Sequence, residues 1–367
     1  MSDRTYKVAV IGTGMIGNIA HIPAWKALAG DVELVAVADI LEERAKLTAQ
    51  HHDIPRAYGD WQRMLDEVQP DIVSVCTPNV YHKGPTVAAL KGGAHVLCEK
   101  PITVSTQDAN EMYDVAESAG RELFVTQTSR FTNKSRAAKR FADTGKLGET
   151  YCAETAALRR RGIPKWGVFH IKKHNAGGPI YDLGVHALDL LIWIMGNPKI
   201  VAVSGMAVTK FGNKDENLAT SLADSGAPMG VITPRPYDYR EFDVEDFASA
   251  FFRLESGATI MVRTSWAANV PDNPGKTFIL GTEGGLQIQP SLEYITNVDR
   301  YQSNVAVKVP ADANVPFVGH HNYMAHAVRV LRGEEEKIVK RAEVINVMRA
   351  LEGLYRSSDL GREIRLD

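Results

Sequence analysis

The stretch Lys7-Val8-Ala9-Val10-Ile11-Gly12-Thr13-Gly14-Met15-Ile16-Gly17 decides the fold of this chain. A short β-branched run, typical of a buried strand, leads directly into a Gly-x-Gly-x-x-Gly loop and then into a helical pattern. Here Gly12 allows a tight turn, Gly14 lets the backbone approach a pyrophosphate, and Gly17 lets helix and strand pack closely. The free N–H groups at the start of the helix favour phosphate. The stretch predicts a dinucleotide site at Gly12, Thr13, Gly14, Met15, Ile16 and Gly17.

An acidic residue at the end of the next strand indicates which dinucleotide binds. The strand runs from Val32 to Ala38, and Asp39 follows it, 22 residues after Gly17. A carboxylate at this place accepts hydrogen bonds from the ribose hydroxyls and repels a 2′-phosphate. Ile40 beside it offers no cation for such a phosphate. The sequence therefore favours NAD over NADP.

Strands and helices continue to alternate as far as Gln127, which predicts a doubly wound parallel sheet. Two of these strands, Asp71 to Cys76 and Glu122 to Gln127, end next to polar residues. In open α/β sheets the ligand crevice lies at the carboxyl ends of the strands. We therefore expect a nicotinamide to lie near Thr77, Pro78, Asn79, Lys100 and Gln127.

Lys100 lies at the end of the short apolar run Val96 to Cys98, directly after Glu99 and before Pro101. Proline cannot donate to a sheet ladder, and it favours extended backbone at the residue before it. A lysine next to a glutamate is by itself usually a solvated surface pair. Its place at the edge of the predicted crevice makes Lys100 a candidate catalytic residue.

The pattern changes near Arg130, where mostly strand-like segments joined by turns replace the alternation. Such a pattern favours a mostly antiparallel sheet. We predict two domains: an NAD-binding Rossmann domain at residues 1–127, and an α+β domain with a large, open, mostly antiparallel sheet at residues 128–367. The Gly-, Pro-, Asn- and Ser-rich segment 211–239 predicts a long loop or arm.

A second candidate constellation lies on a predicted apolar helix from Ile180 to Met195. Asp182, His186 and Asp189 fall at i, i+4 and i+7, which places them on one helix face. Such a histidine is often only a paired core residue. Next to a nicotinamide, however, a neutral imidazole can accept the proton of an alcohol, Asp182 can orient the ring, and Lys100 can favour alkoxide character.

Composition excludes several other classes of function. The chain has 42 Lys and Arg against 44 Asp and Glu, a net charge of −2, so nothing attracts nucleic acid or an anionic membrane over long range. No apolar run is long enough to span a bilayer, and the start of the chain lacks a leader-like segment, so we expect a cytoplasmic protein. The three cysteines are widely spaced, and the histidine pairs lack zinc-ligand spacing. We therefore expect no metal.

These motifs together give the chain a family resemblance over nearly its full length. It resembles the glucose–fructose oxidoreductase / inositol dehydrogenase / rhizopine-catabolism (Gfo/Idh/MocA) family. The resemblance rests on the glycine fingerprint, on Thr77-Pro78-Asn79 with His82, on Glu99-Lys100-Pro101, and on Gly177-Gly178 followed by Asp182, Gly184, His186 and Asp189, with a weaker echo in Val244-Glu245-Asp246-Phe247. It implies a catalytic set of Lys100, Asp182 and His186, and adds His82 and Glu99 to the nicotinamide site. It also implies a homodimer or homotetramer formed through the second sheet.

The resemblance implies a substrate among cyclic polyols, sugars and glycosides. Arg160 and Trp166 precede the catalytic helix and are candidates to bind it with Lys100, Asp182 and His186, since tryptophan stacks on sugar rings. The leading hypothesis is an NAD-dependent dehydrogenase acting on a secondary hydroxyl. One alternative is a glycoside-modifying enzyme that oxidises its substrate transiently and eliminates a substituent, with no net hydride transfer. Another is a non-catalytic NAD-bound sensor, although such a protein need not keep Lys100 and His186.

Overall fold

The computed structural model describes residues 4–214, 230–271 and 275–366. Its strands form two sheets, one of six strands and one of nine. Part of the segment 211–239, which we predicted to be a long loop, lies outside the described residues. Within the described parts of the chain, every helix is too short or too polar to span a bilayer.

The first sheet is the predicted Rossmann sheet. Its strand order is β3-β2-β1-β4-β5-β6, and every pairing is parallel. The strands are β1 (Tyr6–Ile11), β2 (Val32–Ala38), β3 (Arg56–Tyr58), β4 (Ile72–Val75), β5 (His95–Cys98) and β6 (Leu123–Val125). The connecting helices are α1 (Ile22–Lys26), α2 (Glu42–His51), α3 (Trp61–Val68), α4 (Lys83–Lys91) and α5 (Thr106–Ser118). The central strands β1, β4 and β5 are almost wholly buried, as expected for apolar strands covered on both faces.

The second sheet has the order β14-β13-β12-β11-β7-β10-β9-β8-β15, and all its pairings are antiparallel except that of β7 with β10. The mostly antiparallel open sheet is thus confirmed. Its strands are β7 (Thr150–Leu158), β8 (Ile200–Val208), β9 (Phe247–Leu254), β10 (Thr259–Ser265), β11 (Thr277–Gly281), β12 (Gly285–Gln289), β13 (Glu293–Val298), β14 (Tyr301–Ala306) and β15 (Ile364–Arg365). The helices of this half are α6 (Asn133–Asp143), α7 (Lys172–Asn175), α8 (Val185–Ile194), α9 (Val318–Leu331) and α10 (Arg341–Leu360).

Two helical segments contain π-helical turns, which the sequence did not indicate. One covers Gly17–His21 and precedes α1; the other covers Ile180–Gly184 and precedes α8. Short π-helical stretches occur frequently at functional sites because they change the direction in which side chains point. Both turns here lie next to the residues on which the predicted site depends.

Direct hydrogen bonds join the two halves of the chain. The Thr106 amide at the start of α5 lies 2.8 Å from Glu352 Oε1 on α10. The Asn79 side-chain amide donates to the carbonyl oxygen of Asn175 at 3.1 Å. These contacts join the segments that follow β4 and β5 to α10 and α7 of the second half, so residues of both halves meet at this edge of the Rossmann sheet.

Candidate active site

Lys100 lies at the meeting point of the two halves. β5 ends at Cys98, and a cis peptide joins Lys100 to Pro101. The Lys100 ammonium donates to the Asp182 carbonyl oxygen at 2.8 Å and lies 3.3 Å from the Asp182 carboxylate. Its side chain is largely buried, with 15 % exposed. The structure therefore brings together two of the three predicted catalytic residues, which are 82 positions apart in the chain.

The Asp182 carboxylate also accepts a hydrogen bond from Trp266 Nε1 at 2.9 Å, and the Arg159 guanidinium lies 3.8 Å from it. Burial by itself would raise the pKa of this carboxyl group, but Lys100, Arg159 and Trp266 together hold the pKa below its usual value. Asp182 is therefore an anion at neutral pH. The sequence did not indicate Trp266, because it lies at the end of β10, far from the motif.

His186 occupies the first turn of α8, and its Nδ1 lies 3.5 Å from the Ser129 hydroxyl. Burial and, next, the charge of Lys100 lower the pKa of His186 to about 3, against the opposing effects of Glu99 and Asp182. The ring is therefore neutral at neutral pH. No hydrogen bond between described residues joins Asp182 to His186. The expectation that Asp182 orients the ring directly is not supported, because the π-helical turn breaks the regular spacing and Asp182 contacts Lys100 and Trp266 instead.

Asp189, the third member of the predicted polar row, has a different partner. Its carboxylate accepts two hydrogen bonds from the fully buried Arg130, at 2.8 and 2.5 Å. The same guanidinium also pairs with Glu343 on α10. A buried, doubly paired arginine is a structural connection between α8 and its neighbours. The row therefore divides, with Asp182 and His186 near Lys100 and Asp189 in the core.

Glu99 lies in a buried cluster with two histidines. His21 Nε2 and His320 Nε2 approach the same carboxylate oxygen at 2.8 and 3.1 Å. These two imidazoles and the carboxylate form the one group of three side chains, among the residues the structure describes, that could hold a metal ion. Two N–H donors on one carboxylate oxygen already account for this geometry. Burial would raise the pKa of Glu99, but the two histidines hold it well below its usual value.

The glycine loop fits a dinucleotide. Gly12 has a positive φ of 95°, and a Cβ there would lie 2.6 Å from the Cys76 backbone. A Cβ on Gly17 would meet the Gly12 carbonyl oxygen at 2.4 Å, whereas a Cβ on Gly14 would meet nothing within 4 Å. Gly12 and Gly17 therefore permit the close turn, and Gly14 faces open space, as the predicted approach of a pyrophosphate requires. Met15 and Ile16 follow at the start of the helical segment, half-buried.

Asp39 lies beside this loop, and its carboxylate accepts hydrogen bonds from Thr13 and Arg44. Its carboxylate accepts from the Thr13 amide at 2.9 Å and from the Thr13 hydroxyl at 3.0 Å. Arg44 on α2 donates to the same carboxylate at 2.7 and 3.1 Å. A cation therefore accompanies Asp39, although the neighbouring Ile40 provides none. Helix α2 places the Arg44 side chain next to the carboxylate of Asp39, which lies five positions earlier in the chain.

The other predicted cofactor residues line the carboxyl ends of the strands. Thr77 Oγ1 and Gln127 Oε1 are buried without a hydrogen-bond partner among the described residues. His82 places Nδ1 2.8 Å from the Pro101 carbonyl and Nε2 2.7 Å from the Thr77 carbonyl, so it connects the two loops at this edge. Burial lowers the pKa of His82, whereas the two carbonyl groups raise it. Thr77, Pro78 and Asn79 thus lie where the sequence predicted.

The two predicted substrate residues lie in the segment before the catalytic helix. Arg160 is exposed, and its carbonyl oxygen accepts from the Ala268 amide at 3.2 Å. Trp166 packs against Phe169, with ring centroids 6.1 Å apart, and its Nε1 is buried with no hydrogen-bond partner among the residues that the structure describes. Arg159, the residue before Arg160, is the one whose guanidinium lies 3.8 Å from the Asp182 carboxylate.

Glu245 is a further residue whose role the sequence did not indicate. Its carboxylate accepts from the Gly178 amide at 3.0 Å, the Ile180 amide at 3.1 Å and the Tyr355 hydroxyl at 2.9 Å. A Cβ on Gly178 would lie 2.1 Å from the Glu245 carbonyl oxygen, which explains the glycine. Burial raises the pKa of Glu245, although these donors oppose the shift. Glu245 therefore fixes the π-helical turn that carries Asp182.

Comparisons with known proteins identify the class and the family. Residues 6–127 match the NAD-binding Rossmann fold of an oxidoreductase family, and residues 135–287 match the GFO/IDH/MocA C-terminal domain. The two matches together cover more than half of the chain. The protein is therefore an oxidoreductase with an NAD-binding Rossmann domain, and it belongs to the Gfo/Idh/MocA family.

Relatives resemble the chain from end to end. A D-glucoside 3-dehydrogenase of Escherichia coli is 29% identical over 100% of this chain and 99% of its own length. An NADP-dependent scyllo-inositol 2-dehydrogenase of Bacillus subtilis is 25% identical over 99% of this chain and 96% of its own length. A levoglucosan dehydrogenase, solved with NADH and L-sorbose, superposes with a TM-score of 0.81 at 19% identity and 99% coverage of both chains. This last likeness supports the fold.

Proposed function

We propose that the protein is an NAD-dependent dehydrogenase that takes hydride from a secondary hydroxyl of a cyclic polyol, sugar or glycoside. The observation that carries the proposal is the contact of the Lys100 ammonium with Asp182, beside a neutral His186, at the carboxyl edge of the Rossmann sheet. This arrangement supplies a cation and a proton acceptor at the carboxyl ends of the strands, where open α/β sheets bind their ligands.

His186 acts as the general base. Burial and the charge of Lys100 lower its pKa, so the imidazole is unprotonated at neutral pH and has a free ring nitrogen to accept the proton. The negative charges of Glu99 and Asp182 raise the pKa, and so stabilise the imidazolium that proton uptake creates. Bound NAD supplies the hydride acceptor.

Lys100 donates a hydrogen bond to the reacting oxygen and stabilises its negative charge. A preorganised cation in a partly buried site performs this task more effectively than water. Asp182 holds the ammonium in place through its carboxylate and its carbonyl oxygen, and Trp266 holds Asp182. Asp182 thus positions Lys100 in this proposal, a role different from the one predicted from sequence.

The substrate class follows from the polar surroundings and from the relatives. Arg159 beside Asp182 and the unpartnered Trp166 Nε1 offer hydrogen bonds to a ligand rich in hydroxyl groups. The relatives are named for glucosides and inositols, and they share the full length of the chain. We propose NAD as the preferred cofactor because the Asp39 carboxylate lies next to the glycine loop.

We also propose that the chain associates with itself through the outer face of the second sheet. Phe251 and Met261 are opposite each other on β9 and β10, and Leu280 lies on β11, which β7 separates from β10. Met261 is 40% exposed. Adjacent apolar side chains on an uncovered sheet are typical of an interface.

The test is NADH formation with NAD and a panel of inositols, aldoses and glycosides. We expect turnover with one ring class, and a loss of about a hundredfold or more in kcat for Lys100→Ala and His186→Ala, with NAD still bound. Lys91→Ala and His51→Ala are matched controls, since both residues are exposed and remote from the motifs.

Two results would contradict the proposal. Unchanged turnover in Lys100→Ala or His186→Ala would show that the substituted residue does not have the role proposed for it. Product without NADH accumulation, together with NAD retained in the denatured protein, would instead indicate transient oxidation followed by elimination.

A further inference from the structure

A cationic cleft lies at the seam between α5 and α10, apart from the residues of the candidate active site. Its volume is about 490 Å³, within the range of roughly 300–1,000 Å³ common for small-molecule sites. It is lined chiefly by cations and side-chain amides: Asn110, Asn197, Lys199, Arg341, Asn346 and Arg349. No Asp or Glu is among the described residues that line it.

Arg349 is the most informative of these residues. Its Nη2 is buried and has no hydrogen-bond partner, and the guanidinium forms no ion pair with any residue in the described ranges. An arginine stays charged at every physiological pH, and leaving one of its donors buried and unpaired is costly. Arg349 therefore lines the cleft as a guanidinium that has no ion-pair partner among the described residues.

The other two cations keep their own partners. Arg341 lies 2.7 Å from Asp114 and donates to the Asn110 side chain at 3.0 Å, while Lys199 lies 3.7 Å from Glu255. These contacts hold both side chains in place around the cleft. They leave Arg349 as the lining cation whose charge no described carboxylate neutralises.

Hydrogen bonds hold the asparagine side chains on one side of the cleft in place. The Asn346 side chain donates to Asn197 Oδ1 at 3.0 Å and to the Pro198 carbonyl at 2.8 Å. It also accepts from the Ile200 amide at 3.4 Å. The Asn346 side chain is therefore fully engaged by its neighbours, whereas the Arg349 guanidinium has no ion-pair partner among the described residues.

We propose that this cleft binds an anion of the phosphate class, with Arg349 as the principal ligand. The planar guanidinium matches two oxygens of a phosphate at once, whereas Lys199 and Arg341 already pair with carboxylates. The volume exceeds that of a single phosphate ion, which favours the phosphoryl group of a small metabolite. An anion bound there bridges α5, which follows the Lys100 loop, to α10 of the second half.

The test is calorimetric titration of the full chain, saturated with NAD so that the glycine loop is occupied, at constant ionic strength. The probes are inorganic phosphate and glycerol 2-phosphate. We expect one equivalent to bind per chain, and Arg349→Gln to weaken binding roughly ten- to a hundredfold, as loss of a charged hydrogen-bonding partner does. Arg356→Gln on the exposed side of α10 is the matched control and should bind as the wild type does.

Arg349→Lys keeps the charge but loses the planar fork, so its affinity should lie between those of the wild type and Arg349→Gln. Tighter binding of glycerol 2-phosphate than of inorganic phosphate would identify a phosphate ester as the ligand class, and equal binding would identify the free ion. No binding by the wild type, or equal binding by the wild type and Arg349→Gln, would overturn the proposal.

Discussion

Asp39 and Arg44 show how single residues adjust the specificity of a common fold. The carboxylate that would accept the ribose hydroxyls is held by Thr13 on one side and by Arg44 on the other. Ile40, the next residue in the chain, is 89% exposed and has no polar side-chain group. The helix that follows brings Arg44 to the same place. The cation that an NADP site needs is therefore present but paired.

Removing the carboxylate should release this cation. We expect Asp39→Ser to raise the ratio of kcat/KM for NADP to that for NAD by about tenfold or more, because Arg44 then faces a 2′-phosphate without a competing anion. The double variant Asp39→Ser with Arg44→Ala should lose most of that gain. A ratio that stays unchanged in Asp39→Ser would show that Asp39 does not select the cofactor.

The second sheet covers one of its faces and leaves the other open. On β9 and β10, buried and exposed residues alternate, with Phe252 and Ile260 inside and Met261 outside. Helix α10 packs on the inner side of β8, where the Ser357 hydroxyl accepts from the Gly205 amide at 2.9 Å. The outer face has no such cover among the described residues. Its apolar side chains are therefore available to a second copy of the chain.

Light scattering coupled to size exclusion tests this interface. We expect the wild type to run as a homodimer or homotetramer, and Met261→Glu to shift it to a smaller species, because burying an unpaired carboxylate at an interface is costly. Val298→Glu, on the exposed end of β13, is the control and should keep the mass of the wild type. An unchanged mass for Met261→Glu would place the interface elsewhere.

Buried ionisable groups make the stability of the whole molecule depend on pH. Burial lowers the pKa of His52 and His170 to about 4 and that of His186 to about 3. The unfolded chain takes up protons on these imidazoles as the pH falls below about 6.5, and the folded chain does not. Asp189 and Glu245 act in the opposite direction, since burial raises their pKa values.

We therefore expect the free energy of unfolding to fall between pH 6.5 and pH 4.5. The expected slope is about 1.4 kcal/mol per pH unit for each proton that the folded state excludes. Denaturant unfolding followed by circular dichroism at pH 7.5, 6.0 and 5.0 measures it. His170→Gln should flatten the slope, and His51→Gln, at an exposed position, should not. Stability that stays level or rises on acidification would contradict the assigned neutral histidines.

The sequence by itself determined the Rossmann sheet, the family and the residues at the strand ends. These features depend on short-range patterns, such as the glycine loop after β1 and Lys100 after β5, and local backbone physics makes such patterns readable. Only the tertiary structure decided which side chains the site residues contact. In the folded chain the Asp182 carboxylate contacts Lys100 and Trp266 instead of His186, and the Asp189 carboxylate pairs with Arg130. Contacts between residues distant in the chain depend on how the two sheets and their helices pack, and spacing along one helix does not contain that information.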